Sequence, residues 1–353
     1  MWNFFTQKSF LNFLKGVGII LFTWFSYVGH SQDNPVLFES FYNKPNETST
    51  RTFINKLSLG ISTGYGKTFY KHNLDGFAIL QSSDSIMLFD NISNIADDTL
   101  TVGYLNWINS VNSINAVPIK TTDNVVSSDS VDLGYKSVST SIPLLFTIHY
   151  EYDRYRMGLG VEFEFHTLKK FKPLSDDLGL REFDSPVKSA LFKRYFLNFG
   201  ARVYRYWEYS LVVDAQVGAI KYGKNFDLSV IKKGVYFNIG ATIEREFSEY
   251  FTAFIRPSYE LKSYTLNFIE SSNSITHKQP AIFIHIGAFL KLPELRRCKI
   301  NNCQTQINHT HGEGKNWRSR MHPFYKKQNP HYGENYPKLI KYKGKNKKKI
   351  NPY

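Results

Sequence analysis

From Lys56 onward the chain alternates apolar and polar residues with a period of two, the spacing that sends successive side chains to opposite faces of a β-strand. The clearest stretch is 155–167. Tyr155, Met157, Leu159, Val161, Phe163 and Phe165 share one face, and Arg156, Gly158, Gly160, Glu162, Glu164 and His166 share the other. Before it, Ile142, Leu144, Phe146, Ile148 and Tyr150 oppose Ser141, Thr147, His149 and Glu151. Later, Ile282, Ile284, Ile286, Ala288 and Leu290 oppose Phe283, His285 and Gly287. Eight such segments predict strands near 56–70, 136–152, 155–168, 192–205, 208–221, 233–245, 250–265 and 279–291.

The links between these segments sort by parity. Odd links are long (71–135, 169–191, 222–232 and 266–278), and even links are tight (Tyr152–Tyr155, Arg205–Glu208 and Glu246–Glu249). A transmembrane barrel has this asymmetry, with short turns at its periplasmic end and long loops outside, whereas a soluble sandwich has no reason for it. The apolar faces end in Tyr or Phe and the opposite faces carry charge, which is the reverse of a soluble barrel. The predicted fold is all-β: an eight-stranded antiparallel up-and-down transmembrane β-barrel over 51–293, with 71–135 as a long extracellular loop and an irregular C-terminal extension over 294–353. Eight strands enclose a space that side chains fill, so no open pore is expected. The inward charges Arg156, Glu162, Glu164, Arg202, Asp214, Glu244, Arg256 and Glu260 are expected to pair as an interior ionic network, because an isolated buried charge is costly. Lys56, Glu151, Lys262 and His285 face the same way.

Composition agrees with strands rather than helices as the membrane element. Mean hydropathy is -0.34 with 21% charged residues, and nothing after the first thirty residues has the 18 or more consecutive apolar residues of a spanning helix. Aromatics reach 16%, a surplus suited to girdles at both membrane interfaces.

The N-terminus predicts export. Lys8 and Lys15 precede the apolar run Val17 to Phe25, and small residues follow at Gly29 and Ser31. This reads as a signal peptide over 1–31, cut before Gln32, with a leader over 32–50. Gln32 in place of Cys argues against a lipoprotein. The expected location is the cell outer membrane with both termini in the periplasm. Charge is unevenly placed: 1–31 carries +2, 32–293 balances to zero and 294–353 carries +12. A neutral body with a cationic tail implies two parts with two jobs.

The alternating strands, the loop parity and the inner-face glycines Gly158, Gly160, Gly200, Gly218 and Gly240 resemble the small outer-membrane barrels of Bacteroidota, of the PorT-like and OmpX-like type. The resemblance covers about 51–293 and is one of pattern. The long first loop and the tail depart from the compact family type. The resemblance also gives meaning to Asp84-Ser85-Ile86, Asp98-Thr99-Leu100 and Asp129-Ser130-Val131, because that phylum attaches O-glycans at Asp-Ser/Thr followed by a small or aliphatic residue; chance or an ordinary Asx or ST turn is the preferred reading of each triplet.

Candidate chemistry gathers at the head of the tail, where Cys298-x4-Cys303 is followed by His309 and His311. An oxidising compartment and an even cysteine count favour a disulfide; two thiolates with two imidazoles would instead bind zinc. No cofactor other than such a zinc is expected. Beyond it, Arg296, Arg297, Lys326, Lys327, Lys338, Lys341, Lys343, Lys345, Lys347, Lys348 and Lys349 form a basic surface for an acidic periplasmic partner, whether an envelope protein or a polyanion. Export argues against nucleic acid as a partner, and outer-membrane lipid is expected to surround the body. Glu164 and His166 share a strand face and could act as acid and base, but no nucleophile set, phosphate loop or HExxH motif accompanies them. The expected function is therefore a non-enzymatic barrel that anchors or scaffolds a periplasmic or envelope partner, within a secretion or assembly machine. The alternatives are an outer-membrane protease or acyltransferase acting at the outer rim, and a metal-binding tail module.

Overall fold

The computed structural model describes residues 49–318 except 84, 91–98, 119, 121, 207, 248–249, 269–270, 294, 302, 304–308 and 312–314. The expected signal peptide, most of the leader and the lysine-rich end beyond Arg318 lie outside the described residues.

A short helix, α1 (Ser49–Asn55), leads into β1 (Leu57–Asn73). Five shorter strands follow: β2 (Phe77–Gln81), β3 (Ile86–Asp90), β4 (Thr99–Asn106), β5 (Asn112–Pro118) and β6 (Asn124–Ser127). The chain then resumes long strands with β7 (Gly134–Tyr152) and β8 (Tyr155–Thr167), and passes through the two-residue β9 (Lys172–Pro173) to β10 (Ser189–Tyr206) and β11 (Tyr209–Lys221). Next come β12 (Ile231–Lys233), β13 (Tyr236–Glu246), β14 (Phe251–Leu261), the hairpin β15 (Ser263–Asn267) and β16 (Ser274–Lys278), and β17 (Ala281–Lys291). A final hairpin, β18 (His309–His311) and β19 (Lys315–Trp317), belongs to the tail.

The ring closes through β1. It pairs antiparallel with β7 on one side, Ile61 opposite Phe146, and with β17 on the other, Ile61 opposite Ala288. Around the ring the order is β1, β7, β8, β10, β11, β13, β14 and β17, all antiparallel. These eight strands are the eight that the alternation predicts, and a closed ring leaves no unpaired edge in lipid. Among the described residues no helix is long and apolar enough to cross a membrane.

The faces are inverted relative to a soluble protein. Outward-facing Leu59, Leu159, Phe165, Ile243 and Ile286 are 53–62% exposed, while inward Glu164, Arg194 and Glu260 are fully buried. Tyr155 to Phe165 on β8 spans about 33 Å at roughly 3.3 Å per residue, and a strand tilted by about 40° turns that into about 25 Å of bilayer. Tyr152, Tyr155, Tyr204, Tyr206 and Tyr209 stand exposed at the short-turn end as an aromatic girdle. One turn there has only two residues, Asp153 and Arg154, between β7 and β8, with Asp153 at φ 52°; an Asp tolerates that left-handed conformation better than most residues.

The inner face explains two glycines. A Cβ on Gly66 would run into the Phe283 ring, and one on Gly160 into the Phe196 ring. A narrow barrel that carries large rings inward needs an empty place opposite each.

The segment 71–135, expected as a long loop, is instead a five-stranded sheet in the order β5-β4-β3-β2-β6. Runs such as Phe77-Ala78-Ile79-Leu80 are buried on both faces of this sheet. Phe77, Ile79 and Leu88 join the large core above the lumen, and Ala78, Leu80, Met87 and Phe89 form a second cluster. β1 and β7 run past the lipid-facing band as a paired stalk, Asn73 opposite Gly134, from which this sheet springs.

Candidate functional site

Inside the barrel the charges fall into three groups along the axis. Toward the long-loop end, Arg194 meets Glu162 at 3.1 Å, Glu260 at 2.5 Å and also Glu164. Lys262 bridges Glu164 at 3.0 Å and Glu260 at 2.9 Å. In the middle, Arg256 meets Asp214 at 2.5 Å and donates to Asn238 at 2.7 Å. Toward the short-turn end, Arg156 lies between Glu244 at 2.5 Å and Glu151 at 2.9 Å, and Lys291 also reaches Glu151. A void of about 20 Å³ between Arg156, Asn198, Asp214 and Arg256 has room for a single water.

The expected network residues Arg156, Glu162, Glu164, Asp214, Glu244, Arg256 and Glu260 all pair in this interior. Arg202 stands apart at the rim, 3.8 Å from Glu151 and partly exposed. Sequence reasoning left out Arg194, which holds three carboxylates at once. Its signal was present: it alternates with Phe196, Asn198 and Gly200 toward the Arg202 position on one face of β10.

Glu164 and His166 do come together, with Nδ1 of His166 3.4 Å from a Glu164 oxygen. Ser141 Oγ lies 2.8 Å from the same Nδ1, and Tyr70 OH lies 2.9 Å from Nε2. A serine activated by this imidazole would need Nε2 free toward it while the carboxylate holds Nδ1. Both acidic and basic groups are also buried, and Glu164 is already bound to Arg194 and Lys262.

The cap closes the long-loop mouth with one turn, Trp107 to Ser110. Trp107 is fully buried, stacks on Phe183 at 4.2 Å between centroids, and aims its indole N–H at His72 Nε2 at 3.4 Å. Its carbonyl accepts from His277 Nε2 at 2.9 Å. Tyr264 OH donates to the Ile108 carbonyl at 2.5 Å, and Asn109 donates to the Asn225 carbonyl at 2.5 Å. These partners come from β1, β15, β16 and two other long loops, so one turn ties the cap to most of the rim. Above the lipid-facing band, burial pushes the His72 imidazole well below its usual range and His277 down to about 3.

At the opposite end the chain leaves β17 along a set of fixed contacts. Arg51, from α1, donates to the carbonyls of Pro293 at 3.1 Å and Leu295 at 3.4 Å. Cys298 N donates to the Arg318 carbonyl at 2.9 Å and Arg318 N to the Arg296 carbonyl at 2.8 Å, which brings the β18–β19 hairpin back to the tail's start. The Arg318 guanidinium lies over the Tyr250 ring, 4.5 Å from its centroid, at the short turn between β13 and β14. Of the basic residues predicted to bind a partner, Arg296 and Arg297 lie here with exposed side chains; Lys326, Lys327, Lys338, Lys341, Lys343, Lys345, Lys347, Lys348 and Lys349 lie outside the described residues.

The hairpin brings both cysteines and both histidines to one point. The two cysteines are not joined in a disulfide. Cys298 Sγ lies 3.2 Å from His311 Nε2, Cys303 Sγ lies 3.2 Å from His309 Nε2, and the two Nε2 atoms lie 3.0 Å apart. All four donor atoms fall within 4.8 Å of one another.

No family model and no curated protein matches the chain. Among solved structures it is similar to the outer membrane protease OmpT from Escherichia coli, with 12% identity over 68% of this chain and 97% of that one and a TM-score of 0.32. It is likewise similar to the outer membrane protein AlkL in lipid bilayers (13%, 71% and 97%, TM-score 0.32) and to a Pseudomonas aeruginosa FadL homologue (11%, 71% and 95%, TM-score 0.20). Likeness at this level transfers no activity. The closed ring, the apolar outer band and the charged interior make the chain an outer-membrane-type barrel on their own.

Proposed function

We propose that the protein is a non-enzymatic outer-membrane anchor, of the small PorT-like kind of Bacteroidota, that holds a basic tail out to a partner in the periplasm as part of a secretion or assembly machine. One observation carries this reading: the lumen is filled and capped, while the chain at the short-turn end is led away through dedicated contacts from Arg51 and Arg318. A plugged lumen argues against transport. The enclosure of Glu164 and His166 argues against chemistry at the outer rim. With short turns facing the periplasm, as in barrels of this type, the cap is extracellular and the tail is periplasmic.

The tail's charge of +12 suits an acidic protein or a polyanion such as phospholipid headgroups or peptidoglycan carboxylates. Such contacts are screened beyond about 10 Å at 0.1 M salt. A chain ending at Pro293 is expected to insert with the mobility of the folded barrel on unheated gels and to lose whatever the full chain retains in a pull-down from detergent-solubilised outer membranes. Retention by the full chain should fall steeply with added salt. If the shortened chain fails to insert, the tail is an assembly element and the anchor reading fails.

A further inference from the structure

We propose that Cys298, Cys303, His309 and His311 form a tetrahedral zinc site that fixes the root of the basic tail against the short-turn rim of the barrel. The site stands on its own donor geometry, whether or not the tail beyond it binds a partner.

Cys298 and Cys303 are separated by four residues, within the range of structural zinc sites, but His309 and His311 are closer than the three to five residues usually found between paired histidines. That usual spacing serves a helix, where one face recurs after three or four residues. Here the two histidines lie on β18, and on a strand residues two apart share a face. The short spacing therefore does for a strand what the longer one does for a helix. Both imidazoles arrive by Nε2, with their rings at 83° to each other.

The distances point to a central cation. A tetrahedron with Zn–S of about 2.3 Å and Zn–N of about 2.0–2.1 Å has donor–donor edges of roughly 3.3–3.8 Å. The two sulfur–nitrogen edges of 3.2 Å and the nitrogen–nitrogen edge of 3.0 Å are slightly inside that range and no edge exceeds 4.8 Å, so side-chain rotations that move the four donors by a fraction of an ångström to about 1 Å bring them onto a tetrahedron. Without an ion, one Nε2–H can donate to the other Nε2 across 3.0 Å, but that uses one imidazole as donor and leaves the four lone pairs aimed at a common point unequally satisfied. A cation at that point accepts from all four donor atoms at once.

The donor chemistry selects the metal. Two sulfurs and two imidazoles with no carboxylate disfavour calcium and magnesium, and a tetrahedral S2N2 set suits zinc. Two thiolates also neutralise the charge of a divalent ion, so the bound site adds none to a region that already carries Arg296, Arg297, Lys299 and Arg318. The surroundings fit a structural role. Cys298 is buried, and its backbone N–H is held by the Arg318 carbonyl. Arg318 in turn lies over Tyr250 of the barrel. Coordination would lock the 298–303 loop to the β18–β19 hairpin, and Arg318 passes that rigidity to the rim.

The test uses the full-length barrel purified in detergent under anaerobic conditions. Metal analysis should find about one zinc per chain, and cobalt(II) exchanged into the site should show thiolate-to-cobalt charge transfer with the d–d bands of a tetrahedral S2N2 ion. Cys298→Ser/Cys303→Ser and His309→Ala/His311→Ala chains should each lose the cobalt bands while keeping the barrel's folded mobility on unheated gels, since the site lies outside the ring. Trypsin should cut at Arg296, Arg297 and Lys299 faster after a chelator has removed the metal. A Cys298–Cys303 disulfide in the peptide map, or a cobalt spectrum without thiolate charge transfer, would overturn the proposal.

Discussion

Replacing Arg194 with leucine is expected to destabilise the barrel by about 3–5 kcal/mol, the usual cost of leaving buried charges without their partner. Arg194 is fully buried and, alone among the described residues, contacts Glu162, Glu164 and Glu260 together. In its absence Lys262 is the one remaining cation among the described residues that reaches this group, through Glu164 and Glu260. The ring would then hold three carboxylates against one ammonium at positions with almost no solvent exposure. Urea titration in detergent, followed by the shift between folded and unfolded mobility, gives the number. Adding Glu162→Gln and Glu260→Gln to Arg194→Leu should recover part of the loss, because the surviving Glu164–Lys262 pair is then balanced. A single Arg194→Leu chain within about 0.5 kcal/mol of the parent, the range of an ordinary surface change, would show that the interior does not depend on this residue.

The second large effect belongs to the cap. Trp107→Ala removes a fully buried ring, and such truncations cost about 3–5 kcal/mol. The loss should be local. Trp107 is the cap's contact to His72, Phe183 and His277, so β2 to β6 should lose hydrogen-exchange protection while β8 and β10 keep theirs. Uniform loss of protection through the ring would mean that cap and barrel fold as one unit, and unchanged protection would mean that other contacts hold the cap.

How much of this was legible in the sequence follows from which environments write a simple pattern. The ring was legible because lipid on one side and a packed lumen on the other impose strict alternation, as in Tyr155 to Phe165. The cap was not, because Phe77 to Leu80 and Ile86 to Phe89 are covered on both faces and so do not alternate. Two apolar runs of strand length separated by Gln81-Ser82-Ser83-Asp84-Ser85 are nevertheless a hairpin signal. Trp107 carried no pattern at all, since its role depends on His72 and His277, which are distant in sequence and adjacent in space.

The interior pairs were partly legible. Alternation gives the face of each charge but not its height along the axis, which depends on register between strands. Arg194 faces Glu162 because those two residues are paired across β10 and β8, a fact that no single strand records. The four-donor cluster was legible as a set of residue types and not as a geometry. His309 and His311 look too close for a metal until β18 makes them neighbours on one face.

The central claim is that one closed ring separates an outer cap from an inner tail, and side-specific labelling tests it most directly. In a Cys298→Ser/Cys303→Ser background, a single cysteine is placed either at Asp129, exposed in the turn after β6, or at Ile340 in the tail. Intact cells are then treated with a thiol reagent too large to cross the outer membrane. Asp129→Cys should label at once, and Ile340→Cys should label only after the outer membrane has been permeabilised. Labelling of Ile340→Cys alone on intact cells would invert the barrel, and labelling of both would contradict a ring that divides the two sides.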